Sequence, residues 1–335
     1  MSIDLHPDVT AWLDGFVAEQ MRPWQDTGFS TAILNEHLRY LNRFSSIGVF
    51  QLSGTAVTLL DDPSNHTMHP EYVSRVHGYW GHLIEALRAC PVDRDMLIAV
   101  DVQDQAPDQD GVPVFTFQKR ADQHNLLLPD VDLIGLDYLA AAPQDQIGYA
   151  DKAFMATFCG STTGGGHITA DAARAARFPR LRAARAFAGR PEVDFRLTSI
   201  VQCDPEAEAL LRTEGFGTGP LDWDFTFRGR FALSLDGNGA ACSRPAIILK
   251  SNCVLMKYRS DCVVHYSPGL IDGRTMLDIT GDEQVIAMVR DERRSPGLYA
   301  PIAAAGTHFA ETVLCKEACL TYTGALLKAY ADRLR

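Results

Sequence analysis

The chain has 335 residues, 46% of them hydrophobic, and a formal net charge of −11. That length exceeds a typical single core and predicts two domains. The acidic balance argues against nonspecific binding to nucleic acid or to an anionic membrane surface, and it leaves room for a local basic pocket.

The first residues carry acids and no long apolar run, which predicts no secretory signal. No stretch approaches the roughly 18 apolar residues that a membrane span needs. Eight cysteines are scattered without a C-x-x-C pair, which argues against a zinc site and fits buried thiols in a reducing cytoplasm. The expected location is therefore cytoplasmic, with peripheral contact at the cytoplasmic membrane face left open.

Apolar spacing predicts helices over 9–21 and 31–44, then short strands at 49–52 and 56–60. Val73, Val76, Tyr79, Leu83, Ile84 and Leu87 keep the 3.6-residue period of a helix over 72–90. Buried strands follow at 96–102 and 114–117, separated by a polar loop. Strands alternating with helices predict an α/β fold with parallel sheets. A boundary is expected near 141–152. Beyond it, a strand at 154–158 runs into the loop GSTTGGG at 160–166, and an Ala/Arg-rich helix over 170–188 is interrupted at Pro179. A strand at 195–201 and a helix over 206–214 come next, and helices over 283–290, 300–314 and 319–334 close the chain.

The most telling stretch is 227–256. A strand at 231–235 feeds the turn Asp236–Gly239, then a small-residue segment reaches Ser243 and Arg244, a helix-length apolar run and a second strand at 253–256. Strand, glycine turn and helix start form an anion cradle, because free backbone N–H groups and the positive end of the helix dipole point at one spot. Arg244 adds a bidentate donor for phosphate oxygens. The same Asn-Gly turn is also the commonest hairpin signal. Neither glycine loop matches the P-loop or the G-x-G-x-x-G fingerprint.

Seven short segments, in order, carry a resemblance. They are VDVQD at 100–104, PVFTFQK at 113–119, HNLLLP at 124–129, FCGSTTG at 158–164, RFPRL at 177–181, LDGNG at 235–239 followed by Ser243 and Arg244, and IAAAGTHFA at 302–310. Together they resemble glycosyltransferase family 90, the group of the Rumi-type protein O-glucosyltransferases, capsule xylosyltransferases and bacterial lipopolysaccharide glycosyltransferases. The similarity spans roughly Gly48 to Tyr330.

The resemblance implies a GT-B architecture: two Rossmann-like domains facing across a cleft, over 1–148 and 149–318, with a C-terminal helix over 319–335 crossing back to the first. It implies an inverting, metal-independent transfer of a glucose- or xylose-type sugar from a UDP-sugar to a hydroxyl of a surface glycan such as lipopolysaccharide or capsule. No tightly bound cofactor is expected. Asp-x-Asp pairs at 93/95, 130/132 and 222/224 lie outside the glycine-loop pattern, and no metal is expected there.

In-line displacement at the anomeric carbon needs a base for the acceptor hydroxyl, and a carboxylate at a strand end suits that task. Asp104 is the first candidate and Asp101 the reserve; a solvated loop acid is the alternative for each. The diphosphate would be held by Gly160, Ser161, Thr162, Thr163, Gly164, His167, Arg177, Asp236, Gly237, Gly239, Ser243 and Arg244. His124 and Lys119 are candidates for substrate binding. Arg177 is equally readable as one charge of an exposed arginine-rich helix face, and Asp236 as a turn cap.

Three departures from the family pattern matter. Cys159 stands where the family has Arg before Gly-Ser, and His167 falls near a usual donor-binding Arg. Residues 257–280, including His265, Tyr266 and Pro268, keep a different register from the family's His-Tyr-x-Pro. Two readings therefore stay open: an active transferase, or a catalytically inactive sugar-nucleotide or glycan-binding protein of the same fold.

Overall fold

The computed structural model describes residues 7–26, 28, 30–41, 43–62, 69–109, 111–240 and 243–335. Residues 241 and 242, part of the expected backbone cradle before Arg244, lie outside the described residues. In chain order the first elements are α1 (Pro7–Met21), α2 (Thr31–Leu41), β1 (Ile47–Gly54), β2 (Ala56–Leu59), α3 (Pro70–Ala89), β3 (Val92–Asp101), β4 (Phe115–Thr116), β5 (Lys119–Arg120), β6 (Leu126–Leu127) and α4 (Val131–Gly135). After them come β7 (Ala153–Ser161), α5 (Ala170–Arg174), α6 (Pro179–Ala186), β8 (Val193–Ser199), α7 (Pro205–Thr213), α8 (Trp223–Phe227), β9 (Gly229–Ser234), α9 (Ser243–Lys250), β10 (Val254–Tyr258), β11 (Cys262–Val263), β12 (Leu277–Ile279), α10 (Asp282–Arg294), α11 (Ala300–Val313) and α12 (Lys316–Ala331).

The chain divides into two compact units. Unit 1 comprises 1–141, 261–268 and 312–335; unit 2 comprises 142–260 and 269–311. The divisions expected from the sequence lie at 148/149 and 318/319.

Unit 1 holds a five-stranded sheet of order β2-β1-β3-β4-β6. Only β3, β4 and β6 are parallel; β1 runs antiparallel to both β2 and β3. The parallel sheet expected from alternation is thus mixed in this unit. Ser53 pairs with Ala56, so only Gly54 and Thr55 make the turn, and Gly54 has φ +56°. A two-residue turn permits only antiparallel pairing. Helix α12 belongs to this unit: Tyr322 donates to the Leu127 carbonyl at 2.7 Å and Tyr330 to the Leu97 carbonyl at 3.1 Å. The short pair β5–β11 brings residues 261–268 into the same unit.

Unit 2 is a parallel sheet of order β12-β10-β9-β7-β8. Counted by first appearance within the unit, that order is 2-1-3-4-5, the doubly wound topology. Its central strand β9 is buried along its whole length, as the middle of a sheet covered by helices on both sides requires. Phe158, Phe231, Leu233, Val254 and Met256 are fully enclosed in its core. Pro179 ends the α5 region and starts α6 at its first turn, as a residue lacking an N–H must. The order reverses between β7 and β9, so their carboxyl ends form the topological switch point where ligands of such sheets bind.

Candidate functional site

Both glycine loops arise at that switch point. The loop after β7 carries Gly160–Gly166 and the loop after β9 carries Asp236–Gly239, and β7 pairs directly with β9. They touch: a Cβ added to Gly164 would stand 2.8 Å from the Asp236 carbonyl oxygen, and one on Gly237 would stand 2.8 Å from Thr163 Oγ1. Side chains larger than hydrogen would push the loops apart, so the glycines are explained by close approach.

Arg180, from the first turn of α6, ties the loops together. Its Nη1 donates to the Ser161 carbonyl at 3.1 Å and to Thr163 Oγ1 at 2.8 Å, and its Nη2 donates to the Leu235 carbonyl at 2.8 Å. Arg244, on α9, donates through Nη2 to the Cys159 carbonyl. The two guanidinium carbons lie 5.5 and 4.9 Å from the centroid of the Phe158 ring, and Arg244 lies 5.7 Å from the Trp223 ring. Each cation keeps one enclosed nitrogen without a hydrogen-bond partner, Nε of Arg180 and Nη1 of Arg244.

The electrostatics follow from this enclosure. Burial, with repulsion from Arg244 added, pulls the Arg180 guanidinium down to about 10, and Asp236 opposes the shift. Burial also lowers Arg244. Two guanidiniums are thus held together in a poorly solvated place with too little negative charge around them. An anion entering there would relieve both the repulsion and the unmet donors.

Asp236 is already engaged. Lys257 of β10 pairs with its Oδ1 at 3.0 Å, and the Ser260 hydroxyl donates to Oδ2. Its role is to fix the second loop and to hold Lys257 at the same strand ends. Ser161 and Thr163 share a hydroxyl contact of 3.0 Å at the loop surface. Thr162 is fully buried, and its hydroxyl both donates to the Val201 carbonyl and accepts from the Val201 N–H, each at 3.0 Å. Its hydrogen-bonding capacity anchors the loop, not a ligand. Gly160 lies at the end of β7, Gly239 is buried, and Ser243 opens α9.

Two candidates stand apart from this cluster. His167 is exposed and lies 2.7 Å from Asp204 Oδ1, a surface pair. Arg177 is exposed in the segment between α5 and α6. The buried arginine of that run is Arg180, three residues on, and it was missed in the sequence. A signal existed: Arg180, Ala184 and Phe187 repeat at helical spacing on the buried face of α6, whereas Arg182 and Arg185 do not. Lys257 and Trp223 were missed as well; neither belongs to a motif.

The remaining candidates lie in unit 1. Asp104 follows β3 and is part-exposed. Its Oδ1 pairs with Arg75 at 2.9 Å, and Arg75 also holds Glu71 and the Val102 carbonyl. Asp101 is only 1% exposed. It accepts from the Gln103 backbone at 3.1 Å and from Gln103 Nε2 at 2.8 Å, and burial raises its pKa. Asp104 is therefore the more exposed of the two acids, and Asp101 is a turn cap. Lys119 and His124 line one pocket of about 340 Å³.

Asp130 of the Asp-x-Asp pairs caps α4 by accepting from the Asp132 N–H at 3.0 Å. Among the described residues no group of three or more His, Cys, Asp or Glu side chains converges as metal ligands would. No described helix is long and apolar enough to cross a membrane. No protein-family model matches the chain, and no curated protein matches it.

Proposed function

We propose that the protein is a glycosyltransferase that takes its donor, a UDP-sugar, at the switch point of unit 2. The observation that carries this reading is the pair of buried arginines, Arg180 and Arg244, each with an unpartnered nitrogen, at the meeting of two glycine loops. A diphosphate matches that array in charge and in its number of acceptors. The ordered resemblance to glycosyltransferase family 90 supplies the reaction: inverting and metal-independent, with a glucose- or xylose-type sugar passing to a hydroxyl of a surface glycan. The GT-B pairing of the two units is part of the same proposal.

In this mechanism Asp104 accepts the proton of the acceptor hydroxyl as its oxygen attacks the anomeric carbon. The glycosidic bond to UDP breaks on the opposite face, and the charge developing on the diphosphate is met by Arg180, Arg244 and Lys257. A positioned base contributes about 10²–10⁴ in rate; each fixed cationic donor contributes about 10²–10³.

A second reading, binding without turnover, is favoured by one feature. Asp104 is occupied by Arg75, and a base held in an ion pair is a weaker base. A thermal-shift panel of UDP, UDP-glucose, UDP-xylose, UDP-galactose, GDP and NAD in EDTA tests the site. Ligand at a hundredfold excess over its dissociation constant adds about 2.7 kcal/mol of stability. Stabilisation by uridine nucleotides supports the donor site; stabilisation by NAD alone, or by none of them, overturns it. UDP release from the best sugar nucleotide then separates turnover from binding.

A further inference from the structure

We propose that unit 1 carries a second anion site, independent of the donor site in unit 2: the pocket of about 340 Å³ in which Lys119 and Arg22 hold the oxyanion of a small hydroxylated ligand. Lys119 starts β5, and its pairing with Val263 of β11 sets one wall of the pocket. The Lys119 ammonium is part-buried and donates to a single neutral acceptor, the Asn125 carbonyl, at 2.6 Å. No carboxylate among the described residues lies within 4.0 Å of Lys119 or of Arg22. A part-buried ammonium with one neutral partner and a second cation lining the same cavity leaves charge to be matched by a ligand.

The rest of the lining narrows the class. Gln20 is buried, with its carbonyl oxygen tied to the Leu127 N–H at 3.2 Å, and Glu19 and Asp122 also line the pocket. Acceptors beside the cations disfavour a polyanion and suit O–H donors. The volume falls at the small end of ligand pockets, which run from about 300 to 1,000 Å³. A sugar monophosphate or a sugar acid has the required anionic end and hydroxyl-rich body. Burial also draws Lys119 down to about 8, with Asp108 and Glu19 opposing the shift and Arg22 adding to it.

The test is protection of Lys119 from acetylation by an N-hydroxysuccinimide ester near its pKa of about 8, read by peptide mass spectrometry of the full chain. The probes are a hexose monophosphate, gluconate and inorganic phosphate. At least one is expected to slow Lys119 acetylation saturably, by about tenfold at ten times its dissociation constant. Phosphate-specific or carboxylate-specific protection tells the two oxyanion sources apart. The exposed Lys328 serves as control and should react at an unchanged rate. Arg22→Gln is expected to raise the half-protecting concentration by about tenfold or more, whereas Arg244→Met leaves it unchanged, so this site and the donor site fail separately. Equal Lys119 reactivity with and without all three probes, or protection indifferent to Arg22→Gln, overturns the proposal.

Discussion

Gly164 and Asp236 meet across the two glycine loops so closely that a Cβ on Gly164 would lie 2.8 Å from the Asp236 carbonyl oxygen, and Gly164 itself has φ +109°. Gly166 has φ +90° with open space around its Cβ position. Both are strained for any other residue, but only one is also blocked. Gly166→Ala is expected to cost about 1–2 kcal/mol from backbone strain alone. Gly164→Ala should cost more and should weaken nucleotide binding as well. Urea denaturation of the two variants, followed by UDP titration, checks this; equal losses would mean that loop contact is unimportant.

Arg244 bears on function and on stability in opposite ways. Replacing it with Met removes one donor from the Cys159 carbonyl, a loss of about 1 kcal/mol. It also removes an enclosed charge whose pKa burial lowers. Replacing buried charge with apolar volume is often neutral or stabilising. Arg244→Met is therefore expected to fold with stability within about 1 kcal/mol of the wild type, or above it. A drop of several kcal/mol in ligand-free urea denaturation would assign Arg244 to the scaffold instead.

On the proposed mechanism Asp104 and Asp101 separate chemistry from architecture. Asp104→Asn should lower the transfer rate by about 10²–10⁴ while leaving UDP-sugar affinity and folding unchanged. Asp101→Asn keeps one acceptor for the Gln103 N–H and should retain transfer activity. Steady-state rates with the best donor decide between them, and the reverse order of effects would exchange the two roles.

How much of this was legible in the sequence differs between the units. In unit 2 the strand–glycine loop–helix pattern located both loops, because turn chemistry there is local. That β7 and β9 are neighbours is a long-range fact, and no periodicity encodes it. Arg180 was hidden in a run of five arginines, where only helical phase distinguishes the buried one. In unit 1, two apolar runs separated by three residues were readable as a hairpin, yet the alternation rule pointed to a parallel sheet. Residues 261–268 were the least legible. His265 and Tyr266 had no periodic signal, and their burial depends on the β5–β11 pairing and on Tyr322 of α12.

Two buried histidines in unit 1 predict acid sensitivity. His82 lies 2.7 Å from both Tyr138 Oη and Thr323 Oγ1, while His265 packs against Tyr266 and Tyr322 with neither ring nitrogen partnered. Burial lowers each to about 3 from 6.5. A folded-state pKa below the unfolded one means that this stability is fully present above pH 6.5 and is lost as pH falls toward 3. Between pH 6.5 and about 3 each imidazole contributes a slope approaching about 1.4 kcal/mol per pH unit. His265→Phe should remove one of the two slopes and should not destabilise the protein at neutral pH. Urea denaturation across this range measures both effects, and a flat profile in the wild type would contradict the assignment.

Titration calorimetry of UDP, in EDTA, into the wild type and Arg244→Met tests the donor site most directly. Saturable one-to-one binding to the wild type, weakened about 10–100-fold in the variant, is the predicted result. No binding to the wild type, or equal affinity for both proteins, would contradict it.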